Sequence, residues 1–259
     1  MGAERFFNIK CRTSGLVPDA AVIVATVRAL KAHSGKYKIV AGKPLPEDLL
    51  RENPDDVIAG AANLRKQVAN IRLHGVPAVV AINAFPTDHA SEHQAIRDVA
   101  AELGARSAVC THFADGGRGA AELAEAVAEA AEEPSQFRLL YPDSASLREK
   151  IETVATRVYG AADVDYSAQA AKQLDTYERA GFGRLPVCIA KTHLSISSDP
   201  ALKGAPTGWT LPVREVRASA GAGFVYPICG EIRTMPGLGT SPAAARIDLD
   251  ADGQIQGLS

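Results

Sequence analysis

The run Pro77-Ala78-Val79-Val80-Ala81-Ile82-Asn83 decides how this chain folds. Between Pro77 and Asn83 no polar residue interrupts it, so both of its faces need cover. A strand with that demand belongs in a parallel sheet with helices above and below. Ala20 to Thr26 and Arg106 to Phe113 read the same way: short, rich in Val, Ile or Ala, without polar alternation. Helical spacing fills the gaps. Leu64, Val68 and Ile71 share one face, with Gly75 placed to stop that helix. Ile96, Val99 and Leu103 share another, closed by Gly104, and Leu123, Val127 and Ala130 mark a third before Pro134. Strand and helix alternating in this way predict an α/β unit with a parallel sheet.

The rhythm changes after Pro134. Leu147, Ile151, Val154 and Val158 predict one helix with Gly160 past its end, and Ser167 is placed to cap a second that runs to Gly181. Leu185 to Ala190, Leu211 to Ala218 and Gly223 to Cys229 are strand candidates, the last two separated by a turn at Ser219-Ala220-Gly221-Ala222. The change of rhythm places a domain boundary near residue 135.

Composition excludes several functions. The chain has 259 residues, 46% hydrophobic, with a formal net charge of −2. That supports a real core and gives no dense basic face, so nucleic acid is not an expected partner. Small anions need only a few local cations. Cys11, Cys110, Cys188 and Cys229 form no C-x-x-C pair, which argues against a zinc ribbon. Cys110 and Cys188 read as buried thiols. No apolar stretch is long enough to span a bilayer. No hydrophobic run follows Met1 to Arg5, so the expected location is the cytoplasm.

Particular stretches say more. Val24-Ala25-Thr26-Val27-Arg28-Ala29-Leu30-Lys31-Ala32-His33-Ser34-Gly35 resembles a signature of the formate–tetrahydrofolate ligase family. That signature ends in two glycines, and Ser34 replaces the first. Gly2 to Phe7, Ile9 to Arg12, Val79 to Asn83 with Phe85-Pro86-Thr87-Asp88, Leu185 to Thr192, Gly204 to Trp209, Val213 to Arg217, and Thr234-Met235-Pro236-Gly237-Leu238 agree with the same family, in family order. The resemblance implies α/β architecture, an incomplete P-loop-NTPase-like parallel sheet followed by a smaller α+β region: 1–135 as the C-terminal part of the nucleotide-binding α/β domain and 136–259 as an α+β folate-side region. It also implies an ATP-dependent ligase that joins formate to tetrahydrofolate, with ATP and Mg²⁺ as co-substrate, and a homotetramer as the usual assembly. The family carries a long N-terminal region with a phosphate loop, and no G-x-x-x-x-G-K-[ST] occurs here. Such a loop grips polyphosphate with backbone N–H groups, a lysine and a hydroxyl on Mg²⁺. The expectation is therefore a fragment that is inactive alone, completed by a separate N-terminal half. The alternative is a non-catalytic remnant that binds folate or docks on a homologue. A switch GTPase, suggested only by the strand order and Asn83, ranks last.

Candidate site residues follow from position. Arg28 and Lys31 lie just past a parallel strand, at the edge where ligands gather in open α/β sheets. The matched signature favours an anion-facing, catalytic role, for Arg28 above all; a solvated surface pair is the other reading. Asn83, Phe85 and Asp88 fit either a base-reading turn or a strand exit with a helix cap. Gly116 and Gly117, within Asp115-Gly116-Gly117-Arg118-Gly119, fit either a phosphate-facing turn or a plain tight one. Phe182, Leu185, Pro186 and Trp209 are candidates for a pterin platform, against ordinary packing. Lys191, Arg214 and Arg217 are candidate cations for the folate tail or phosphate, against surface charge. No metal ligands are assigned: His89 and His93 read as a helix start, and Asp248 to Gly253 as a hairpin turning at Asp252-Gly253.

Overall fold

The computed structural model describes residues 2–39, 43–230 and 245–257; the stretch Thr234 to Leu238 lies outside them. The anticipated sheet forms from β1 (Ala21–Ala25), β2 (Ala78–Asn83) and β3 (Arg106–Cys110). The order is β1-β2-β3, both pairings parallel, in the register Val22↔Val79 and Val79↔Arg106. Central β2 is covered on both faces, as its unbroken apolar run requires: Ala78 to Ile82 are all buried. Each fully buried Val or Ile there contributes about 1.5–3 kcal/mol.

The sheet's two faces are covered unequally. One face carries the helices Ala62–Leu73 and Ala90–Glu102, with Leu64, Val68, Ile71, Ile96 and Val99 in a core with Val80 and Ile82. Gly75 and Gly104 end these helices in the left-handed region. At Gly75 a Cβ would lie 2.1 Å from the Gln136 carbonyl oxygen, so glycine is required twice over. On the other face lies the helix Ala121–Ala131, of which only Ala130 is buried. Val22 and Val24 of β1 share that face with Val79 and Ala81 through the strand register. They are nevertheless 46% and 67% exposed. β1 is also an edge strand, with no outer partner among the described residues.

The third run was read too long. The strand ends at Cys110, and His112–Asp115 turns into a single helical turn. Thr111 drives the break: its N–H bonds the Gly119 carbonyl at 2.9 Å and its hydroxyl donates to Asp115 Oδ2 at 2.7 Å.

A buried histidine sits beneath the sheet. His74 is 1% exposed, with Nδ1 3.0 Å from the Arg138 carbonyl and its ring against Phe7 and Phe137. Burial pushes its pKa down to about 4. The unfolded chain then binds the extra proton as pH falls below the ordinary histidine value, so this part of the stability is present above about pH 6.5 and is lost toward pH 4. Between pH 7 and 5.5 the loss is about 1.2 kcal/mol. Urea titrations of His74→Leu are expected to show a pH-dependent drop smaller by that amount; an unchanged profile contradicts it.

A second core spans residues 140–229. Ser146 caps the helix Leu147–Thr153 in a capping box with Glu149, and a wider turn, Val154–Val158, extends it to Gly160. Ser167 caps Ala168–Arg179 through the Ala170 N–H, and Gly181 follows in the left-handed region, as expected. The predicted strand Leu185 to Ala190 shrinks to β5 (Ala190–Lys191) plus one bridge at Val187. Pro186 has no N–H to give a ladder. The predicted strand Leu211 to Ala218 is two strands. β4 (Asp163–Tyr166) pairs in parallel with β6 (Thr210–Val213), whereas β7 (Glu215–Ser219) pairs antiparallel with β8 (Phe224–Cys229). Buried positions jump from Leu211 and Val213 to Val216, a change of phase that one continuous strand cannot make. Ala220–Ala222 and Gly223 make the expected turn, and β9 (Asp248–Leu249) with β10 (Ile255–Gln256) make the expected hairpin. Cys110 is buried and Cys188 half-buried. Among the described residues no helix is long and apolar enough to cross a membrane.

Candidate functional site

The strands of the parallel sheet all end at one edge, and three loops leave from it. Thr26 follows β1 and caps the helix Val27–His33, accepting from the Ala29 N–H at 3.2 Å. That cap fixes Arg28 in the first turn. Asn83 closes β2, and the Ala84 N–H bonds the Cys110 carbonyl, so the loop after β2 crosses toward β3. Phe85 follows, and the Arg28 guanidinium carbon lies 3.6 Å from the centre of its ring. One Arg28 nitrogen, Nη2, donates to Thr87 Oγ1 at 3.2 Å, while Nε is buried with no hydrogen-bond partner among the described residues. A cation stacked on a ring is attracted by the ring's negative face. A buried donor without an acceptor is a cost that an incoming anion removes.

Asp88 is the organiser of this loop. Its side chain is 3% exposed, accepts from the Phe85 N–H at 2.9 Å and lies 3.3 Å from His93 Nε2. These contacts supply the strand-exit reading with its physical content: the carboxylate shapes the turn that presents Phe85. Asn83 is half-buried at the strand end. His89 is the N-cap of Ala90–Glu102 in a capping box with Glu92.

Lys31 is elsewhere in effect. It is 1% exposed, with Nζ 2.8 Å from Glu92 Oε1 and donating to the Arg51 carbonyl. Its charge holds the 51–53 segment to the helix Ala90–Glu102 and is not presented to the edge. The sequence could not show this, because Glu92 lies far along the chain. Gly116 and Gly117 are on the surface, in a tight 3₁₀ turn that follows β3. Sequence reasoning missed Phe113, which sits on the helical turn after β3 and is 97% exposed. Reading His112-Phe113 as strand hid it. A large ring so exposed, on the turn that leaves β3, is a flat apolar surface awaiting cover.

The remaining candidates belong to the second core and its surface, where Phe182, Leu185 and Trp209 pack against one hydrophobic cluster. Phe182 packs beside Tyr177, ring centres 6.0 Å apart, and with Leu185 lines the second core. Pro186 is buried and accepts from the Val225 N–H. Trp209 donates from Nε1 to the Pro206 carbonyl at 3.2 Å and makes no ring contact with Phe182. Lys191 Nζ donates to the carbonyls of Thr192, Ser195 and Ser197, at 3.2, 2.6 and 3.0 Å, which uses all three of its protons. Burial brings its pKa down to about 8. Arg214 is exposed at the break between β6 and β7, and Arg217 pairs with Glu215.

Comparison with known proteins adds sequence-wide information. The profile of the family described as Formate–tetrahydrofolate ligase matches residues 1–259. A formate–tetrahydrofolate ligase of Saccharopolyspora erythraea is 75% identical over 259 residues, covering 100% of this chain and 46% of its own length. Formate–tetrahydrofolate ligase 3 of Rubrobacter xylanophilus is 68% identical, with 100% and 47% covered. A formate–tetrahydrofolate ligase of Cutibacterium acnes is 60% identical, with 100% and 46% covered. The chain spans about half the length of the curated relatives it matches.

Proposed function

The chain belongs to the formate–tetrahydrofolate ligase family, and on that premise we propose that it supplies the folate side and part of the nucleotide side of such a ligase. The reaction is ATP + formate + tetrahydrofolate giving 10-formyltetrahydrofolate, ADP and phosphate. The observation that carries this reading is Arg28, stacked on Phe85 at the strand edge with its Nε unsatisfied.

The chemistry asks for such a group. A formate oxygen takes the γ-phosphoryl group from ATP, and ADP leaves. The folate amine then attacks the formyl carbon, the carbon–oxygen bond to phosphate breaks, and the amine loses a proton. Negative charge is concentrated at the phosphoryl group in both steps. A preorganised guanidinium stabilises it without having to reorganise. Phe85 and the exposed Phe113 support a ring-stacking role at the same edge, for a pterin or a purine. Asn83, Asp88, Gly116 and Gly117 shape the loops around it and stand as nucleotide-side positions. Phe182, Leu185 and Trp209, partly buried against the same core, stand as candidate pterin positions.

ATP arrives with Mg²⁺. Among the described residues no three His, Cys, Asp or Glu side chains gather to hold a metal, so no step is assigned to the ion here. Its grip, and that on the polyphosphate, belongs in this reading to the part of the relatives that this chain does not span. The open edge of β1 and the uncovered Val22 and Val24 support contact with that part.

In that two-part assembly, Arg28→Gln is expected to lower turnover about 100-fold or more, the usual loss for one charge-stabilising donor. Product absorbance measures it. Because Arg28 is half-exposed, the melting temperature should hold. Unchanged turnover removes Arg28 from the chemistry.

A further inference from the structure

A cavity of about 360 Å³ is lined by Arg5, His33, Asn63, Gln67, Lys191 and His193 among others. His33 ends the helix whose first turn holds Arg28, and the five residues from Arg28 to His33 rise about 7.5 Å.

The charged side chains of its lining, Arg5 and Lys191, are both basic. Among the described residues no carboxylate lines the cavity, and none of Arg5, His33, Lys191 and His193 takes part in an ion pair. Lys191 is held in its carbonyl cage and over the Tyr159 ring, 4.7 Å from its centre. Its charge enters the cavity as a fixed field, although its protons are committed. Arg5 gives Nη2 to the Ile189 carbonyl at 2.9 Å and keeps four N–H groups. His33 accepts from the Gly204 N–H at Nδ1, so in the neutral ring its proton sits on Nε2, a donor. Burial and Lys203 keep that ring neutral by lowering its pKa. Gln67 has an amide free of hydrogen bonds among the described residues. Glu4, next to Arg5 in the chain, is buried, and burial raises its pKa to about 7; it is not among the residues that line the cavity.

We propose that this cavity binds a small oxyanion, a dicarboxylate or a phosphate, with Arg5, His33 and Gln67 as its donors and Lys191 as a positioning residue. The volume suits a ligand of that size, and uncompensated cations in a concave site focus field on an anion. The inference deepens the ligase reading, since Lys191 is also a candidate cation for the folate tail or phosphate; its test reads anion binding and not turnover, so the two can fail separately.

Thermal unfolding of the full chain in glutarate and in inorganic phosphate, against sodium chloride at equal ionic strength, tests it. A saturable rise in melting temperature with either anion is expected. A response to glutarate alone identifies a carboxylate site, and to phosphate alone a phosphate site. In Arg5→Gln the apparent Kd should rise about tenfold or more, the loss expected for hydrogen bonds to a charged group. Gln67→Ala should raise it less. Both positions sit at the surface or half-buried, so the variants fold. No saturable response to either anion, or an equal response in Arg5→Gln, overturns the proposal.

Discussion

Mixing this chain with the remaining part of the Saccharopolyspora erythraea relative is expected to yield 10-formyltetrahydrofolate, where the chain alone yields none above background. The reason is twofold. Nothing in the chain has the glycine–lysine pattern that cradles polyphosphate. The sheet, in turn, leaves apolar surface bare. A parallel strand needs cover on both faces, yet Val24 is 67% exposed, and β1 has no outer partner among the described residues. Free edges of this kind pair with whatever strand arrives. The relative is 75% identical across this chain, so its remainder should find most of the surface it was built against. Val24→Glu is the sharp control. A change at an exposed position costs a lone chain about 0.5 kcal/mol or less, but it places a charge in the proposed interface. Complex formation by size exclusion, and product by absorbance, should both vanish with it. Robust turnover by the chain alone, or assembly indifferent to Val24→Glu, refutes the two-part reading. A dimer of the chain through the same edge, abolished by Val24→Glu, would instead identify a second copy as the occupant.

The second large effect is on stability. Lys31→Met should destabilise the fold by about 3–5 kcal/mol, the cost of leaving one member of a buried ion pair alone. Lys31 and Glu92 are each 1% exposed and 2.8 Å apart. Glu92 also accepts from the backbone N–H groups of Asn53 and His89, both at 3.0 Å. Burial alone would raise its pKa, but the Lys31 bond and these N–H groups bring it below the ordinary value. Without Lys31 the burial penalty goes uncompensated. Domains hold only about 5–15 kcal/mol in all, so the variant should be near unfolding at 37 °C. Adding Glu92→Gln should recover part of the loss, since the stranded charge is gone. Urea denaturation of both variants measures this; a loss below about 1 kcal/mol for Lys31→Met contradicts the buried pair.

These results mark what a sequence can disclose. β2 was legible because an unbroken apolar run admits few environments. The Ser167 cap and the Gly75 and Gly104 stops were legible because each satisfies a local backbone need. The split at Arg214 was present as a phase change between Val213 and Val216, but alternation was read across it. Arg28 could be placed at the edge by counting from a strand. Its stacking on Phe85 could not, because that depends on β1 and β2 being neighbours in register. Lys31 misled for the same reason: Glu92, which consumes its charge, reaches it only through the tertiary fold. Phe113 was lost to a strand that Thr111 ends early.

Parallel pairing also sets an order of events during synthesis. Val22 is matched to Val79, so β1 leaves the ribosome long before its first neighbour exists. Closing that long loop must precede any reward from the ladder, which makes such sheets slow to nucleate. Until then, the nascent segment around Leu16 to Ala25 is bare apolar chain, the kind of surface that chaperones hold and that aggregates recruit.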